Sequence, residues 1–294
     1  MKKSDAVLVH EGKVRDTYSI PDYNNLLLVV SSDRISTHNI VHNSLIPKKG
    51  EVLTSLTVHW MTKIFPEFGL KNQHHLVAYG NSIFDFISKD SFDNPEDLIN
   101  RAIIVERLNI IPIEFIFRSY LTGSIYEKFY SKGIKNPYGV KIESGLQKMA
   151  RFNSPVFTPT EKSETDEPMV TMDVLRRYYG AYDLAKKAYI SVQKILNQVG
   201  IELIDSKLEI GFNEESELVI ADEVFTPDSS RFCELKSITK GVDPPWLDKQ
   251  LARDEVIKIW EEKGEEGPVT FKEETIKRLT DVYLGMLDRI VSAK

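Results

Sequence analysis

Asp205-Ser206-Lys207-Leu208-Glu209-Ile210-Gly211, answered by Val219-Ile220-Ala221-Asp222-Glu223-Val224-Phe225, reads as a β-hairpin. Residues 201–212 and 218–225 are its expected strands, and 213–217 its turn. Alternation puts Asp205, Lys207 and Glu209 on one face of the first strand, with Leu208, Ile210 and Phe212 on the other. In the return strand, Asp222 and Glu223 interrupt an apolar run. A buried carboxylate costs several kcal/mol unless a cation or hydrogen-bond donors compensate it, roughly the penalty of an unpaired buried ion. Glu209 and Asp222 on neighbouring strands suit Mg²⁺, which takes one or two carboxylates, phosphates and water. A surface hairpin with cross-strand ion pairs accounts for the same pattern equally well.

Short β-type runs at 6–9, 14–19 and 26–32 precede the hairpin, and 102–108 and 113–121 add two more strands. A helical pattern follows Gly50, with Leu53, Leu56, Trp60 and Ile64 on one face and Pro66 as its stop. Pro, Gly, Ser, Thr and Lys dominate 136–168, as in a long functional loop. Helices are expected at 170–199, 247–263 and 273–292; Gly200 ends the first. Strands first and helices later give an α+β class with a cleft between two lobes: a β-rich lobe at 1–108 and a second at 109–294.

The 294 residues carry a net charge of -6, which argues against a general nucleic-acid binder but leaves room for a local cluster of cations around one nucleotide. The single cysteine, Cys233, excludes an intrachain disulfide and disfavours a cysteine zinc site. Met1–His10 lacks the apolar run of a secretory signal, and no segment has the length and apolarity of a membrane span. A cytoplasmic protein without membrane or nucleic-acid partners, monomeric or homodimeric, is the expectation. His38, His74 and His75 show no metal-ligand spacing and read as structural or exposed.

Other segments carry weaker signals. Gly12-Lys13-Val14-Arg15-Asp16 joins two strands, and a glycine there permits close approach to a phosphate, with Lys13 and Arg15 on one face. A plain charged turn explains it as well. Arg118 lies inside an apolar strand and must find an anion or reach water; Thr122-Gly123-Ser124 follows it, with Ser124 a candidate helix cap. Thr226-Pro227-Asp228-Ser229-Ser230-Arg231 offers an acid and a guanidinium suited to ribose and phosphate, or a capped turn. Ser32-Asp33-Arg34-Ile35-Ser36 and Thr158-Pro159-Thr160-Glu161-Lys162-Ser163 read by themselves as turn and loop.

In this order, these segments resemble the SAICAR synthetase family. The resemblance includes Pro47–Leu53, Phe157-Thr158-Pro159, Ala221–Phe232 and Asp248-Lys249-Gln250 with Arg253-Asp254, and runs from about residue 10 to 255. After Ser36 the family more often has Ala-Phe-Asp, where this chain has Thr37-His38-Asn39. The resemblance implies a two-lobed ATP-binding fold and a Mg²⁺-dependent ligase of purine biosynthesis. Its substrates would be ATP, L-aspartate and a carboxyaminoimidazole ribonucleotide. It implies ATP contacts from Gly12, Lys13, Val14, Arg15, Glu106, Leu108 and Lys207, and metal ligands Glu209 and Asp222. Arg118, Ser124, Asp228 and Arg231 would hold the ribonucleotide, with Asp33, Ser36 and Lys162 in the aspartate and acceptor region. Lys207, Asp33 and Lys162 are the candidate catalytic residues. A small-molecule kinase and a non-catalytic nucleotide-binding module are the rival readings.

Overall fold

The computed structural model describes residues 5–163 and 165–292. Residues 1–4 of the stretch read for a leader lie outside them. The chain opens with β1 (Val7–Glu11), β2 (Arg15–Ser19) and β3 (Leu26–Ser31), then β4 (Arg34–Thr37) and β5 (Ile40–Leu45), a two-stranded hairpin. His38 and Asn39 turn that hairpin in the left-handed region, at φ 50 and 64, where Asn is tolerated and His is enriched. The sequence reading treats Ser32–Ser36 as a turn and assigns no strand to 37–45, where polar residues hide the alternation.

Helix α1 (Lys49–His59) continues through a π-helical turn at Trp60–Ile64 into α2 (Phe65–Glu67). Pro66 therefore lies inside the last turn, where it has no N–H to give to the turn before it, and the helix ends one residue later at Glu67. After β6 (Leu76–Tyr79) and α3 (Leu98–Arg101), β7 (Ala102–Glu106) returns beside β3. The first sheet runs β1-β2-β3-β7-β6. Its inner face, with Leu28, Ile104 and Ile20, packs on Ile83, Phe84 and Leu98 as a small separate core.

The second sheet is seven-stranded and built on β9 (Ile113–Tyr120), which follows β8 (Asn109–Ile110), and on β12 (Ile201–Phe212). β10 (Arg151–Phe157) and β11 (Thr160–Glu161) both pair with β9. The expected long loop thus contains two strands, one with Pro155 inside it and a register shift along its pairing. Irregular edge pairing tolerates proline, which is why composition misleads there. Helix α4 (Thr171–Gln198) packs across the sheet, and β13 (Leu218–Ala221) and β14 (Ser230–Glu234) flank β12 on its two halves. α5 (Gln250–Lys263) and α6 (Glu273–Val291) close the chain.

The return strand ends at Ala221, short of the expected Phe225. Asp222 and Phe225 both have positive φ, 61 and 51, which breaks the extended run. The large core joins β9, β12, α4 and α6 with Val52, Leu53, Leu56 and Trp60. Trp60 is fully buried and its Nε1–H donates to the Phe225 carbonyl at 3.1 Å, pinning the turn after β13 to the α1 segment. Although early in the sequence, residues 35–70 thus pack with the second lobe. Among the described residues, no helix is long and apolar enough to cross a membrane.

Candidate active site

A cavity of about 1070 Å³ separates the two sheets. Its floor is the polar face of two neighbouring strands. Glu114, Ile116 and Arg118 of β9 line it beside Asp205, Lys207 and Glu209 of β12, with Arg118 opposite Asp205 and Ile116 opposite Lys207. Phe115, Phe117, Leu208 and Ile210 point the other way, into the large core. The alternation read from the sequence therefore holds on β12, and the same argument applied to β9 finds Glu114, which the sequence reading passed over.

At one end, carboxylates and cations are matched closely. Arg15 reaches across from the first sheet to Asp222 at 2.7 Å and Glu223 at 3.0 Å. Lys162 pairs with Glu209. Lys207 donates to Glu114 at 2.7 Å, and the second Glu114 oxygen accepts from Thr160 at 2.8 Å. Burial by itself lowers the Lys207 ammonium, but Glu114 and Glu209 outweigh it and hold the group above its ordinary range. Glu209 lies opposite Ala221 in the hairpin register, so Asp222 is the next residue along. Among the described residues, no group of three or more His, Cys, Asp or Glu is placed to hold a metal. Two carboxylates suffice for Mg²⁺, whose remaining ligands are phosphate and water, so the donor set fits.

The roof is the β1–β2 turn. Gly12 donates to the Arg15 carbonyl at 2.8 Å, and a Cβ at Gly12 would sit 2.5 Å from that oxygen, so only glycine closes this turn. Arg34 fixes the turn from below, donating to the Gly12 carbonyl at 2.9 Å and pairing with Asp16 at 2.6 Å. Lys13 donates to Asn39 at the β4–β5 tip at 2.8 Å. Val14, Glu106 and Leu108 line the same end. His75 lies between the lobes: its N–H donates to Ile220 and its carbonyl accepts from Glu106. Burial pushes the His75 imidazole down to about 4, so it is neutral.

At the other end, cations share acids. Arg118 and Arg231 both donate to one Asp205 oxygen, at 2.7 and 2.6 Å. Arg231 packs over Gly123, where a Cβ would stand 2.6 Å from its guanidinium; with φ 60, this position admits glycine alone. Asp228 is buried and saturated. Its carboxylate accepts from the Tyr283 hydroxyl at 2.6 Å and pairs with Lys49 at 2.9 Å and Lys249 at 3.3 Å. Burial would raise this carboxyl, but Lys249 and Lys49 hold it well below the usual carboxylate range. Lys249 and Arg253 line the cavity; Lys49 is fully buried behind it. Sequence reasoning gave these three cations no role, although the segments carrying them had been singled out.

Of the residues proposed from the sequence, Ser36 and Lys162 also line the cavity. Asp33 and Ser124 stand outside its lining. Asp33 accepts from the Gly50 N–H at 2.9 Å, at the start of α1, and lies 3.6 Å from Arg101. Ser124 accepts from Arg118 at 3.3 Å and makes no side-chain cap to the turn that follows.

The family model of SAICAR synthetase matches residues 8–268. The phosphoribosylaminoimidazole-succinocarboxamide synthase of Komagataella pastoris is 37% identical over 260 residues, 84% of this chain and 83% of its own length. That of Corynebacterium ammoniagenes is 33% identical, covering 98% of this chain and 95% of its own. A solved structure of the Saccharomyces cerevisiae SAICAR synthase complexed with SAICAR superimposes with a TM-score of 0.84 at 29% identity, over 98% of this chain and 96% of the other. With the match spanning the cleft floor, its roof and both ends, the chain belongs to the SAICAR synthetase family.

Proposed function

We propose that the cavity is the active site of an ATP-dependent ligase. It joins L-aspartate to a carboxyaminoimidazole ribonucleotide, giving SAICAR, ADP and phosphate in purine biosynthesis. The observation that carries the reading is the shared floor of β9 and β12. It places paired acids and cations at one end and excess guanidinium and ammonium groups at the other. The reaction needs both: a polyphosphate with its metal, and a phosphorylated ribonucleotide to receive it.

Amide formation from a carboxylate is slow because oxide is a poor leaving group. Transfer of the ATP γ-phosphoryl group to the imidazole carboxylate gives an acyl phosphate. The aspartate amine then attacks its carbonyl carbon, loses a proton, and phosphate departs. The protein's part is positioning and charge neutralisation. The β1–β2 turn with Gly12, Lys13, Val14 and Arg15 covers the phosphates, Glu106 and Leu108 border the base, and Lys207, oriented by Glu114, faces the transferred group. Arg118 and Arg231, with Asp205 between them, hold the ribose phosphate, and Asp228 acts through Lys249. Ser36 and Lys162 belong to the acceptor region, where Asp33 takes part by fixing the start of α1 and Ser124 by contact with Arg118. Glu209 and Asp222 would hold Mg²⁺, which supplies charge neutralisation at the phosphates. The lobe division that goes with this reading lies near residue 108, with 35–70 packed on the second lobe. The chain works in the cytoplasm on small molecules, as monomer or homodimer.

Phosphate release from Mg·ATP tests it. Release should require the ribonucleotide and L-aspartate together, with product absorbance rising in step. Release without aspartate would point to a kinase, and none under any combination would end the catalytic reading.

A further inference from the structure

The tip of the β4–β5 hairpin carries an ordered chain of hydrogen bonds with no part in the scheme above. It starts in the interior, where the Val269 N–H donates to Nδ1 of buried His42 at 3.3 Å. A neutral imidazole has one protonated nitrogen, so this bond leaves the His42 proton on Nε2. His42 Nε2 lies 2.8 Å from Oγ1 of Thr37, which is buried and accepts that proton. The Thr37 hydroxyl must itself donate. It does so to the other ring nitrogen it touches, His38 Nδ1, at 3.2 Å. The chain therefore fixes His38 as the tautomer protonated at Nε2, with that N–H available to a ligand.

Two further features point to what it meets. His38 lines the active-site cavity, its ring braced against Trp260 of α5 at 5.2 Å, so its position is set from both sides. Arg253, on the same helix, also lines the cavity. Its guanidinium donates to the neutral Gln250 amide oxygen at 3.1 Å and makes no ion pair among the described residues. An arginine facing a cavity without a carboxylate partner is suited to receive one from a ligand. Partial burial and the nearby Arg253 charge both lower the His38 imidazole, and burial lowers that of His42, consistent with two neutral rings.

We infer that His38, held as its Nε2–H tautomer by the Val269–His42–Thr37 chain, and Arg253 form a binding corner for a substrate carboxylate. This rests on the ligase reading, which supplies two sources of that group, L-aspartate and the imidazole carboxylate. The corner sets specificity for one of them by offering a neutral donor beside a cation.

The test is steady-state kinetics of His38→Ala, His38→Gln and Thr37→Val with each substrate varied in turn. His38→Ala should raise KM about 10-fold for one carboxylate substrate and leave KM for ATP unchanged, the size of one lost hydrogen bond to a charged group. His38→Gln, which keeps an N–H donor, should recover most of it, and Thr37→Val should give a rise of roughly 3-fold. A rise confined to L-aspartate assigns the corner to the amino acid; a rise confined to the ribonucleotide assigns it to the imidazole carboxylate. Unchanged values for both, or a parallel rise for ATP, would overturn the inference. ¹⁵N imidazole spectra give a readout independent of turnover: His38 protonated at Nδ1 in the free protein overturns it, and Nε2 protonation that responds to added carboxylate substrate supports it. Failure of the ligase reading shows separately, as a wild-type chain without aspartate-dependent phosphate release.

Discussion

Two clusters, one at each end of the cavity, use the same side-chain types in opposite proportions. At the end proposed for the nucleotide, one guanidinium, Arg15, is shared by two carboxylates, Asp222 and Glu223. At the end proposed for the acceptor, one carboxylate, Asp205, is shared by two guanidinium groups, and Asp228 by two ammonium groups. The first arrangement has an acid to spare and suits a cation. The second has positive charge to spare and suits an anion. Buried charge is tolerated at each end because it is paired, and the sign of the remainder indicates what completes the site.

The largest expected effect breaks the nucleotide end. Asp222→Asn removes a carboxylate from the proposed metal pair and should lower turnover about 10³-fold or more, the scale of losing a key electrostatic contact. Its circular dichroism and melting should stay close to wild type. Near-normal turnover would contradict the metal role and remove the contrast between the ends.

Next comes the acceptor end. Asp205→Asn leaves Arg118 and Arg231 facing each other without the charge that holds them. KM for the ribonucleotide should rise about 100-fold, roughly the 3 kcal/mol at the lower edge for breaking a buried pair. KM for ATP should change little. Equal rises for both substrates would mean that the two ends are not separate.

The smallest effect is in pH dependence and compares Asp228 and Asp248, two buried acids beside Lys249. Burial raises the Asp248 carboxyl to about 6, against the opposing hydrogen bonds it accepts from Phe232 and Gln250. Between the ordinary aspartate range near 4 and about 6, the folded chain keeps a proton that the unfolded chain has lost. Asp248 therefore lowers stability as pH rises through this window. Asp228, held below its usual range, acts in the opposite sense: it stabilises above that range and the contribution is lost as pH falls. Asp248→Asn should flatten the decline between pH 4 and 6, by roughly 2 kcal/mol, in denaturant titrations. An unchanged slope would show that Asp248 is already ionised in the folded chain.

Much of the floor was legible because alternation on β12 is a local rule, obeyed wherever one face packs on a core. The turn at Asp222 was not legible: nothing in Ala221-Asp222-Glu223 announces a left-handed residue, and the pinning bond comes from Trp60, far away in sequence. The strands β10 and β11 were lost in a polar stretch whose pairing depends on β9. Lys49 shows the same limit, since a lysine beside Lys48 reads as solvated until α6 brings Tyr283 to the same aspartate. Charge excess is a property of assembled neighbours, and single segments do not carry it.

The spacing on β12 also makes the strand a gauge. Asp205 belongs to one end and Glu209 to the other, four residues apart, and an extended chain rises about 3.3 Å per residue. The two groups are thus set roughly 13 Å apart by a rigid rule fixed in the middle of a sheet. Ligands that meet on this floor are selected by length as well as charge. Lengthening the interval by one residue would alter that length by only a few ångströms, yet it would turn Glu209 toward the core, so the calibration resists gradual adjustment.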